Sequence, residues 1–503
     1  MKTNIIEYLF ESTEKHPDKT AYFDEMTSLS YGTLTKNVKA IASKLIKKSG
    51  TVCRPVLIYM DKAPNVLCAF WGVTLSRNFY VPLDTDMPDY RISLIVENLK
   101  PQAVITDISH FDKARTFSNN VYIYEEMTET DIDEALIAER SATAIDTDPV
   151  YVLYTSGSTG VPKGVVVSHR SLIDYIEQFN TEIGIGSDDI IANQAPFYFD
   201  ASLIDIYCTL KAGATMGIVP KDYFSLPLKL LEFLDKWKIT TIRWVPSAMK
   251  MISTFKGFKT LRPAYLKKII FGAESMPVKC FNYWKENYPD AEFVQIYGPT
   301  EITGVCTYYF AKREYADDEV IPIGKPFKNT EILLLDDEDK LIRRSGIVGE
   351  ICVKGSCLAL GYYNSPEKTE SVFVQNPLNP YYPERIYRTG DLAKYNDDKE
   401  LVFVSRKDFQ IKHMGHRIEL GEIENVAASL SGMKSACCMF EKEKQKIVLF
   451  YEAEGYDDEK VMEALKKRLV RYMLPNTLHK VDKMPLTKSG KVDRVALSTT
   501  YGL

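Results

Sequence analysis

Short runs of apolar, often β-branched residues alternate with longer amphipathic stretches along most of this chain. The runs include residues 56–59, 103–105, 150–154 and 268–271. In the stretch 228–237, leucines at positions 228, 231 and 234 have the spacing of one helix face. Continuous apolar strands that alternate with helices are typical of parallel sheets covered by helices on both faces. The sequence therefore predicts an α/β fold.

The character of the sequence changes twice. Beyond residue 320, short strand patterns bounded by Gly, Pro and Asp predict a β-rich subdomain over about 320–407. After Asp408, strands and helices alternate over a shorter stretch. We therefore predict a large N-terminal body over 1–407, with two αβ-layered subdomains and the β-rich one. A small α+β domain follows over 409–503, with the boundary at Asp408.

The composition excludes several classes of protein. The 503 residues are 45% hydrophobic and 26% charged, with a net charge of −5, as in ordinary soluble proteins. No stretch approaches the roughly 20 apolar residues that span a bilayer, so no membrane insertion is expected. Glu7 precedes any hydrophobic region, which argues against a signal peptide and predicts a cytoplasmic location. The balance of charge lacks the basic footprint of a nucleic-acid binder.

The densest group of potential ligand donors follows an apolar strand pattern. It consists of hydroxyl residues, glycines and a lysine: Thr155, Ser156, Gly157, Ser158, Thr159, Gly160, Lys163 and Gly164. Small residues let backbone N–H groups approach an anion, and hydroxyls and a lysine add further donors. The loop is not a Walker A motif, because Lys163 stands between Pro162 and Gly164. The pattern therefore indicates a polyphosphate site of another kind.

Further short motifs lie on both sides of this loop along the chain. They occupy residues 29–34, 80–84, 88–92, 199–202, 297–301, 349–351, 387–391, 406–408, 415–424 and 490–494. Together with residues 155–164, the series resembles the acyl-adenylate-forming (AMP-binding) superfamily over nearly the whole chain. That superfamily includes acyl-CoA synthetases, luciferases and the adenylation domains of non-ribosomal peptide synthetases. The motifs at 29–34 and 80–92 resemble those of the amino-acid-activating members.

The resemblance implies an amino-acid adenylating ligase, an AMP-forming acid–thiol ligase that uses ATP and Mg²⁺. Such an enzyme converts an amino acid to its aminoacyl-AMP with release of pyrophosphate, and then transfers it to a phosphopantetheine thiol. Only nine residues follow Arg494, far fewer than a carrier domain needs. We therefore expect the acceptor to be a separate carrier protein, or coenzyme A, and the enzyme to be a monomer.

The resemblance also assigns roles to residues that bind nucleotide and metal. Thr155, Ser156, Gly157, Ser158, Thr159, Gly160 and Lys163 would hold the phosphates. The adenine would lie among Gly272, Ala273, Glu274, Gln295, Tyr297, Gly298 and Thr300, with Gln295 in place of the usual Asn. Asp391 and Arg406 would bind the ribose, and Glu301 would bind Mg²⁺ because a hard cation prefers carboxylate and phosphate oxygens. The catalytic group would be Lys491, Thr155 and Glu301.

Lys491 is the residue that the resemblance ties most closely to adenylation. The matching lysine of relatives reaches from the small C-terminal domain to the carboxylate and the α-phosphate, and a point charge on a flexible stem suits that role. The C-terminal domain would therefore be a mobile lid that pivots at Asp408. After the pivot, the loop at Gly415 would line a tunnel for the thiol.

Asp200 discriminates between the classes of acid that could be activated. In amino-acid-activating relatives the matching aspartate pairs with the α-ammonium, although Asp200 could also cap a helix beside Ser202. The predicted substrate residues are Phe199, Asp200, Ala201, Ile204, Trp244, Ile270, Gly272, Ile296, Gly304 and Val305. Apart from Asp200 and Lys491 this lining is apolar, and we expect Trp244 to narrow it. A hydrophobic or small amino acid fits such a pocket best.

Three alternatives stay open from the sequence. Residues 193–200 resemble D-alanine–carrier protein ligases, but the cysteine of those enzymes is missing from residues 271–274. An acyl- or aryl-CoA ligase would use Asp200 for another purpose. A catalytically silent, nucleotide-binding module of adenylation type is the non-enzymatic alternative.

Overall fold

The computed structural model describes residues 2–157, 161–487 and 492–502. The chain divides into two compact units. The first contains Met1–Thr85, Leu99–Leu153 and Gly164–Ser405, and the second contains Asp86–Asn98, Tyr154–Lys163 and Arg406–Leu503. The C-terminal part of the second unit begins at Arg406, close to the predicted boundary at Asp408. That Asp408 acts as a hinge stays a prediction.

Three sheets form the framework of the first unit. A nine-stranded sheet has the spatial order Lys325–Pro326, Thr307–Phe310, Glu292–Tyr297, Lys268–Gly272, Thr241–Trp244, Ile190–Asn193, Thr215–Ile218, Thr20–Phe23 and Ser28–Ser30. A seven-stranded sheet has the order Gly361–Tyr362, Lys163–Ser168, Pro149–Thr155, Phe79–Pro82, Pro55–Tyr59, Ala103–Thr106 and Val121–Ile123. A smaller antiparallel sheet contains Thr330–Leu335, Gly349–Gly355, Arg385–Tyr395, Phe373–Gln375 and Leu401–Arg406. Two of these sheets are mixed and the third is antiparallel. The division of the body into two αβ-layered subdomains and a β-rich one stays a prediction.

Helices cover the two large sheets. In the first unit they are Ile6–Lys15, Tyr31–Ser49, Pro64–Leu75, Phe111–Arg115, Tyr124–Thr128, Glu134–Ala142, His169–Ile183, Thr209–Ala212, Pro227–Lys236, Pro246–Thr254, Val278–Asn287 and Pro366–Val372. Prolines start several of them, which costs nothing because the first helical residue has no intrahelical partner for its N–H. The α/β class predicted from the alternating pattern is confirmed.

The two faces of the nine-stranded sheet bury different cores. Along strand Lys268–Gly272, Ile270 belongs to the larger core, which continues into helix His169–Ile183. Ile269 and Phe271 belong to the other core, which includes helices Pro227–Lys236 and Val278–Asn287. This alternation follows from the two-residue period of side chains in a strand. It fixes which residues of each strand can share a pocket.

The second unit has its own small core. Its strands are Gln410–His413, His416–Glu419, Met433–Glu441, Lys446–Ala453 and Thr477–Lys480, and its helices are Asp89–Leu99, Leu420–Ala428, Asp458–Lys466 and Arg494–Tyr501. Ile423, Leu449 and Leu465 are fully buried among them. Within the described part of the chain, no helix has the length and hydropathy needed to cross a membrane.

Candidate active site

The carboxyl ends of neighbouring parallel strands gather most of the predicted site residues of the first unit. These strands are Ile190–Asn193, Thr241–Trp244, Lys268–Gly272 and Glu292–Tyr297. The segments that follow them carry Asp200, Glu274 and Glu301. In open parallel α/β sheets, ligands bind outside the carboxyl ends of the strands. The fold therefore brings Asp200, Glu274 and Glu301 to one edge of the sheet.

Asp200 is held beside the turn that follows strand Glu292–Tyr297. The hydroxyl of Thr300 donates a 2.6 Å hydrogen bond to Oδ2 of Asp200. A Cβ built on Gly304 would lie 3.7 Å from the Cβ of Asp200, so the glycine lies directly against this residue. Asp200 starts a short 3₁₀ turn whose N-cap is Phe199, which makes no side-chain capping bond. Asp200 is thus the first residue of this turn, and Phe199 is in the N-cap position.

Several predicted pocket residues lie together in the larger core. Ile204, Ile270, Ile296 and Val305 are members of it. A Cβ on Gly272 would lie 2.4 Å from the carbonyl oxygen of Ile296, so glycine at this position permits the close approach of two strands. The structure thus brings these apolar residues to one side of the sheet, with Ala201 buried in the turn that Asp200 begins.

Trp244 does not join this group. Its indole donates a 3.1 Å hydrogen bond to the carbonyl of Ala192, and its ring packs against Trp284 in the core on the opposite face. Since successive strand residues point to opposite faces, the residue that shares the face of Ile270 is Arg243, its partner in register. The predicted role of Trp244 in narrowing the pocket is therefore wrong. The otherwise apolar lining stays a prediction, with Arg243 as the residue of this strand on the face of Ile270.

Tyr297 and Asp391 meet in the interior. The phenol of Tyr297 donates a 2.6 Å hydrogen bond to Oδ2 of Asp391, which is fully buried. Burial and the neighbouring carboxylate hold the pKa of Tyr297 well above its usual value, so this phenol keeps its proton at neutral pH. The predicted adenine and ribose residues are thus in direct contact, although 94 positions separate them.

Glu301 is also fully buried. Oε1 of its carboxylate accepts a 2.7 Å hydrogen bond from the phenol of Tyr362. The backbone carbonyl of Glu301 accepts the N–H of Ala359 at 2.9 Å. A buried carboxylate next to Thr300 has the ligand chemistry that a hard divalent cation prefers. Tyr362 was not predicted as a site residue from the sequence.

Two predicted adenine residues at the neighbouring strand ends form hydrogen bonds within the protein. Glu274 accepts the backbone N–H of Ser247 at 2.9 Å. The side-chain amide of Gln295 donates to the carbonyl of Ile321 at 3.3 Å, while its Oε1 is buried and has no partner among the described residues. That oxygen is an acceptor suited to an amino group such as that of adenine.

The part of the phosphate loop that the structure describes is bound within the second unit. Ser156 donates its hydroxyl to the carbonyl of Arg417 at 2.7 Å, and the N–H of Gly157 donates to Oε2 of Glu422 at 3.1 Å. Lys163 lies 3.5 Å from Oε1 of Glu419. Carboxylates of the C-terminal segment therefore engage the donors that were predicted for phosphate. Ser158, Thr159, Gly160 and Lys491 lie outside the described residues.

A buried ion pair joins two distant segments of the second unit. Arg91 and Glu422 form a salt bridge with side chains only 5% and 1% exposed. Burial raises the pKa of Glu422, against the opposing effect of Arg91. The sequence identified both residues as motif positions but gave no sign that they pair.

We expect Arg91→Ala to destabilise the second unit by about 3–5 kcal/mol, because it leaves a buried carboxylate without its partner. Urea unfolding followed by circular dichroism measures this loss. The double variant Arg91→Met with Glu422→Met is the control, since replacing both ions with apolar groups is often close to neutral. A loss for Arg91→Ala no larger than for the double variant would show that the pair is not buried in solution.

The start of the C-terminal segment holds the predicted hinge and a predicted ribose ligand. Both oxygens of Asp408 accept hydrogen bonds of 2.7 Å from the guanidinium of Arg406. Burial would raise the pKa of Asp408, but the bonds and charge of Arg406 outweigh it and lower the pKa. Gly415 forms the turn of a hairpin with Met414, and both have positive φ, 80° and 51°. Glycine suits that turn because it adopts positive φ without strain.

Family comparisons agree with this arrangement. The model described as "AMP-binding enzyme" matches residues 9–363, and "AMP-binding enzyme C-terminal domain" matches residues 422–491. The chain therefore belongs to the AMP-binding enzyme family.

Individual relatives differ in how much of their length the chain covers. It is 31% identical over 517 residues to Zwittermicin A synthase ZmaJ of Bacillus cereus, covering 99% of this chain and 95% of the relative. It is 31% identical over 501 residues to tyrocidine synthase 3 of Brevibacillus parabrevis, covering 97% of this chain but 8% of that protein. The chain spans well under two thirds of several such synthases.

Solved structures share the fold. Holo-PA1221, described as a protein of non-ribosomal peptide synthesis containing adenylation and PCP domains, superposes with a TM-score of 0.82 at 20% identity. The match covers 99% of this chain and 84% of that one. At this identity the likeness establishes the architecture, a large body with a small C-terminal domain.

Proposed function

We propose that this protein uses ATP to activate an amino acid as aminoacyl-AMP, releasing pyrophosphate, and then transfers it to the phosphopantetheine thiol of a carrier protein. The observation that carries the proposal is Asp200, a carboxylate fixed by Thr300 at the carboxyl edge of the nine-stranded sheet. Asp200 is half-buried, and an amino acid bound there would cover it, so a cation or donors must then offset its charge. The α-ammonium of the amino acid is the cation that we propose for this role.

The nucleotide residues support the first half-reaction. Tyr297 and Asp391 form one buried unit, and the free Oε1 of Gln295 offers an acceptor for the adenine amino group. Glu301 is the residue that would bind Mg²⁺, which neutralises phosphate charge during attack of the carboxylate on the α-phosphorus. Thr155, Ser156 and Lys163 would contribute donors to the phosphates once they are free of their present carboxylate and carbonyl partners.

The second half-reaction has a separate basis. The structural relative PA1221 contains adenylation and PCP domains, and the family resemblance supplies Gly415 as a thiol-tunnel residue. Transfer would form a thioester as the thiol sulfur attacks the acyl carbon and AMP leaves. We propose a separate carrier protein as acceptor and a monomeric enzyme.

Amino-acid-dependent exchange of labelled pyrophosphate into ATP tests this function. We expect exchange with a subset of L- or D-amino acids, and its loss when EDTA removes Mg²⁺. Exchange with simple carboxylic acids but with no amino acid would overturn the amino-acid assignment and favour a CoA ligase. No exchange with either, together with retained ATP binding, would favour the silent nucleotide-binding module.

A further inference from the structure

A group of buried polar atoms near the carboxyl ends of strands Ile190–Asn193 and Thr241–Trp244 has no hydrogen-bond partner among the described residues. It consists of Nε and Nη1 of Arg243, Oδ1 of Asn193 and Oδ1 of Asp205. Asn193 and Asp205 are fully buried, and Arg243 is 4% exposed. Buried polar atoms are almost always hydrogen-bonded. We therefore expect these donors and acceptors to bind a polar group of a ligand.

These residues are neighbours. The amide of Asn193 donates a 2.7 Å hydrogen bond to Oδ2 of Asp205. Arg243 pairs with Asn193 in one direction of the sheet and with Ile270 in the other. Arg243 therefore lies on the same face of the sheet as the predicted pocket residue Ile270, whereas Trp244 lies on the opposite face.

The group and the substrate residue Asp200 both lie near one buried tyrosine. Tyr175 of helix His169–Ile183 is within electrostatic range of Asp200, Asp205 and Arg243. Asp205 lies in the π-helical segment Ile204–Cys208, directly after the pocket residue Ile204. Single π-helical turns are frequent at functional sites.

Asp205 offsets the positive charge of Arg243 only in part. Arg243 is permanently cationic. Burial raises the pKa of Asp205 to about 7, despite the opposing effects of Asn193, Arg243 and Lys62. Burial lowers the pKa of Lys62, whose ammonium donates to the carbonyl of Gln194 at 3.1 Å, also to about 7. Near neutral pH, Asp205 is therefore partly protonated and neutralises Arg243 only in part.

We propose that Arg243 binds the side chain of the amino-acid substrate, and that this side chain carries a carboxylate, as in aspartate or glutamate. The inference rests on the proposed function, in which Asp200 binds the α-ammonium. A carboxylate supplies the charge-assisted hydrogen bonds that a guanidinium prefers. An aliphatic side chain would leave the buried Arg243 nitrogens unpaired, which disfavours such a substrate.

Pyrophosphate exchange with matched amino acids tests this specificity. The panel contains aspartate and glutamate, the near-isosteric asparagine and glutamine, and alanine, valine and leucine. We expect kcat/KM for the preferred acidic amino acid to exceed that for its amide and for the aliphatic ones by about 10²-fold or more, because a site built for a polar group rejects substrates that lack it.

Variants of Arg243 separate recognition from catalysis. Arg243→Met is expected to raise KM for the acidic amino acid, to leave KM for ATP unchanged, and to improve kcat/KM for valine or leucine. Arg243→Lys retains the positive charge and should retain part of the acidic preference. Arg262→Met is the matched control, since this exposed arginine donates a hydrogen bond to the carbonyl of Asn287.

Each outcome decides the proposal. A wild-type preference for valine, leucine or alanine over the acidic amino acids would overturn it, whether or not the variants fold. An unchanged order of preference among the amino acids in folded Arg243→Met would also overturn it. Arg243 in the wild-type protein would then bind internal water and not the substrate. Absence of exchange with every amino acid would refute the proposed function itself, a result distinct from either of these.

Discussion

Replacing Asp200 with alanine is expected to lower kcat/KM for the amino-acid substrate by about 10²–10³-fold, mostly through KM, because truncating one partner of a buried charge pair leaves the other unpaired. Its carboxylate is held by Thr300 at 2.6 Å and lies against Gly304. Pyrophosphate exchange over a range of amino-acid concentrations measures the effect.

Two comparisons test whether the loss of activity in Asp200→Ala is due to the α-ammonium of the substrate. The des-amino analogue of the substrate should lose little activity in Asp200→Ala, because it has no ammonium to leave unpaired. KM for ATP should be unchanged. Asp222→Ala removes an exposed carboxylate of the same unit and serves as the control. An equal loss for the amino acid and its des-amino analogue would assign Asp200 a structural role.

The overall architecture could be predicted from the sequence because it depends on periodicity. Residues 150–154 and 268–271 lie in strands Pro149–Thr155 and Lys268–Gly272, and residues 228–237 lie almost entirely in helix Pro227–Lys236. The association of distant segments with the C-terminal domain could not be predicted from periodicity. Residues 86–98 and 154–163 belong to the compact unit of the C-terminal segment, and no local pattern marks that association.

The error at Trp244 has a definite physical origin. A strand buried on both faces is apolar throughout, so its sequence does not reveal which residues face the pocket. A shift of one residue then moves every side chain to the opposite face. In strand Thr241–Trp244 this shift places Arg243, and not Trp244, on the face of Ile270. Only the register with Ile270 resolves the choice.

Contacts between distant residues were beyond prediction for a related reason. Tyr297 and Asp391 were predicted separately as adenine and ribose residues, but their hydrogen bond depends on how two sheets of the first unit pack. The hydrogen bond between Gly157 and Glu422 likewise depends on tertiary packing, here within the second unit, because 265 positions separate the two residues. Motif resemblance identifies such residues one at a time, whereas their pairing is a property of the tertiary fold.

Replacing Lys491 with alanine is expected to reduce amino-acid-dependent pyrophosphate exchange by about 10³-fold, the size of effect seen when a preorganised group that stabilises developing charge is removed. Lys491 is assigned by the motif at 490–494, where the matching lysine of relatives contacts both the carboxylate and the α-phosphate. Attack on phosphorus brings together two anionic groups, and a cation between them lowers the barrier. The effect should fall on kcat and not on KM for ATP.

The second half-reaction separates this role from a general loss of structure. If Lys491 acts only in adenylation, Lys491→Ala should still transfer a supplied aminoacyl-adenylate to a phosphopantetheine thiol at the wild-type rate. Lys483→Ala, which removes an exposed lysine of the same segment, should leave both half-reactions intact. Equal losses in both half-reactions would indicate that the variant disturbs the C-terminal unit. Full pyrophosphate exchange in Lys491→Ala would show that another cation, with Lys163 as the first to test, bridges the reacting groups.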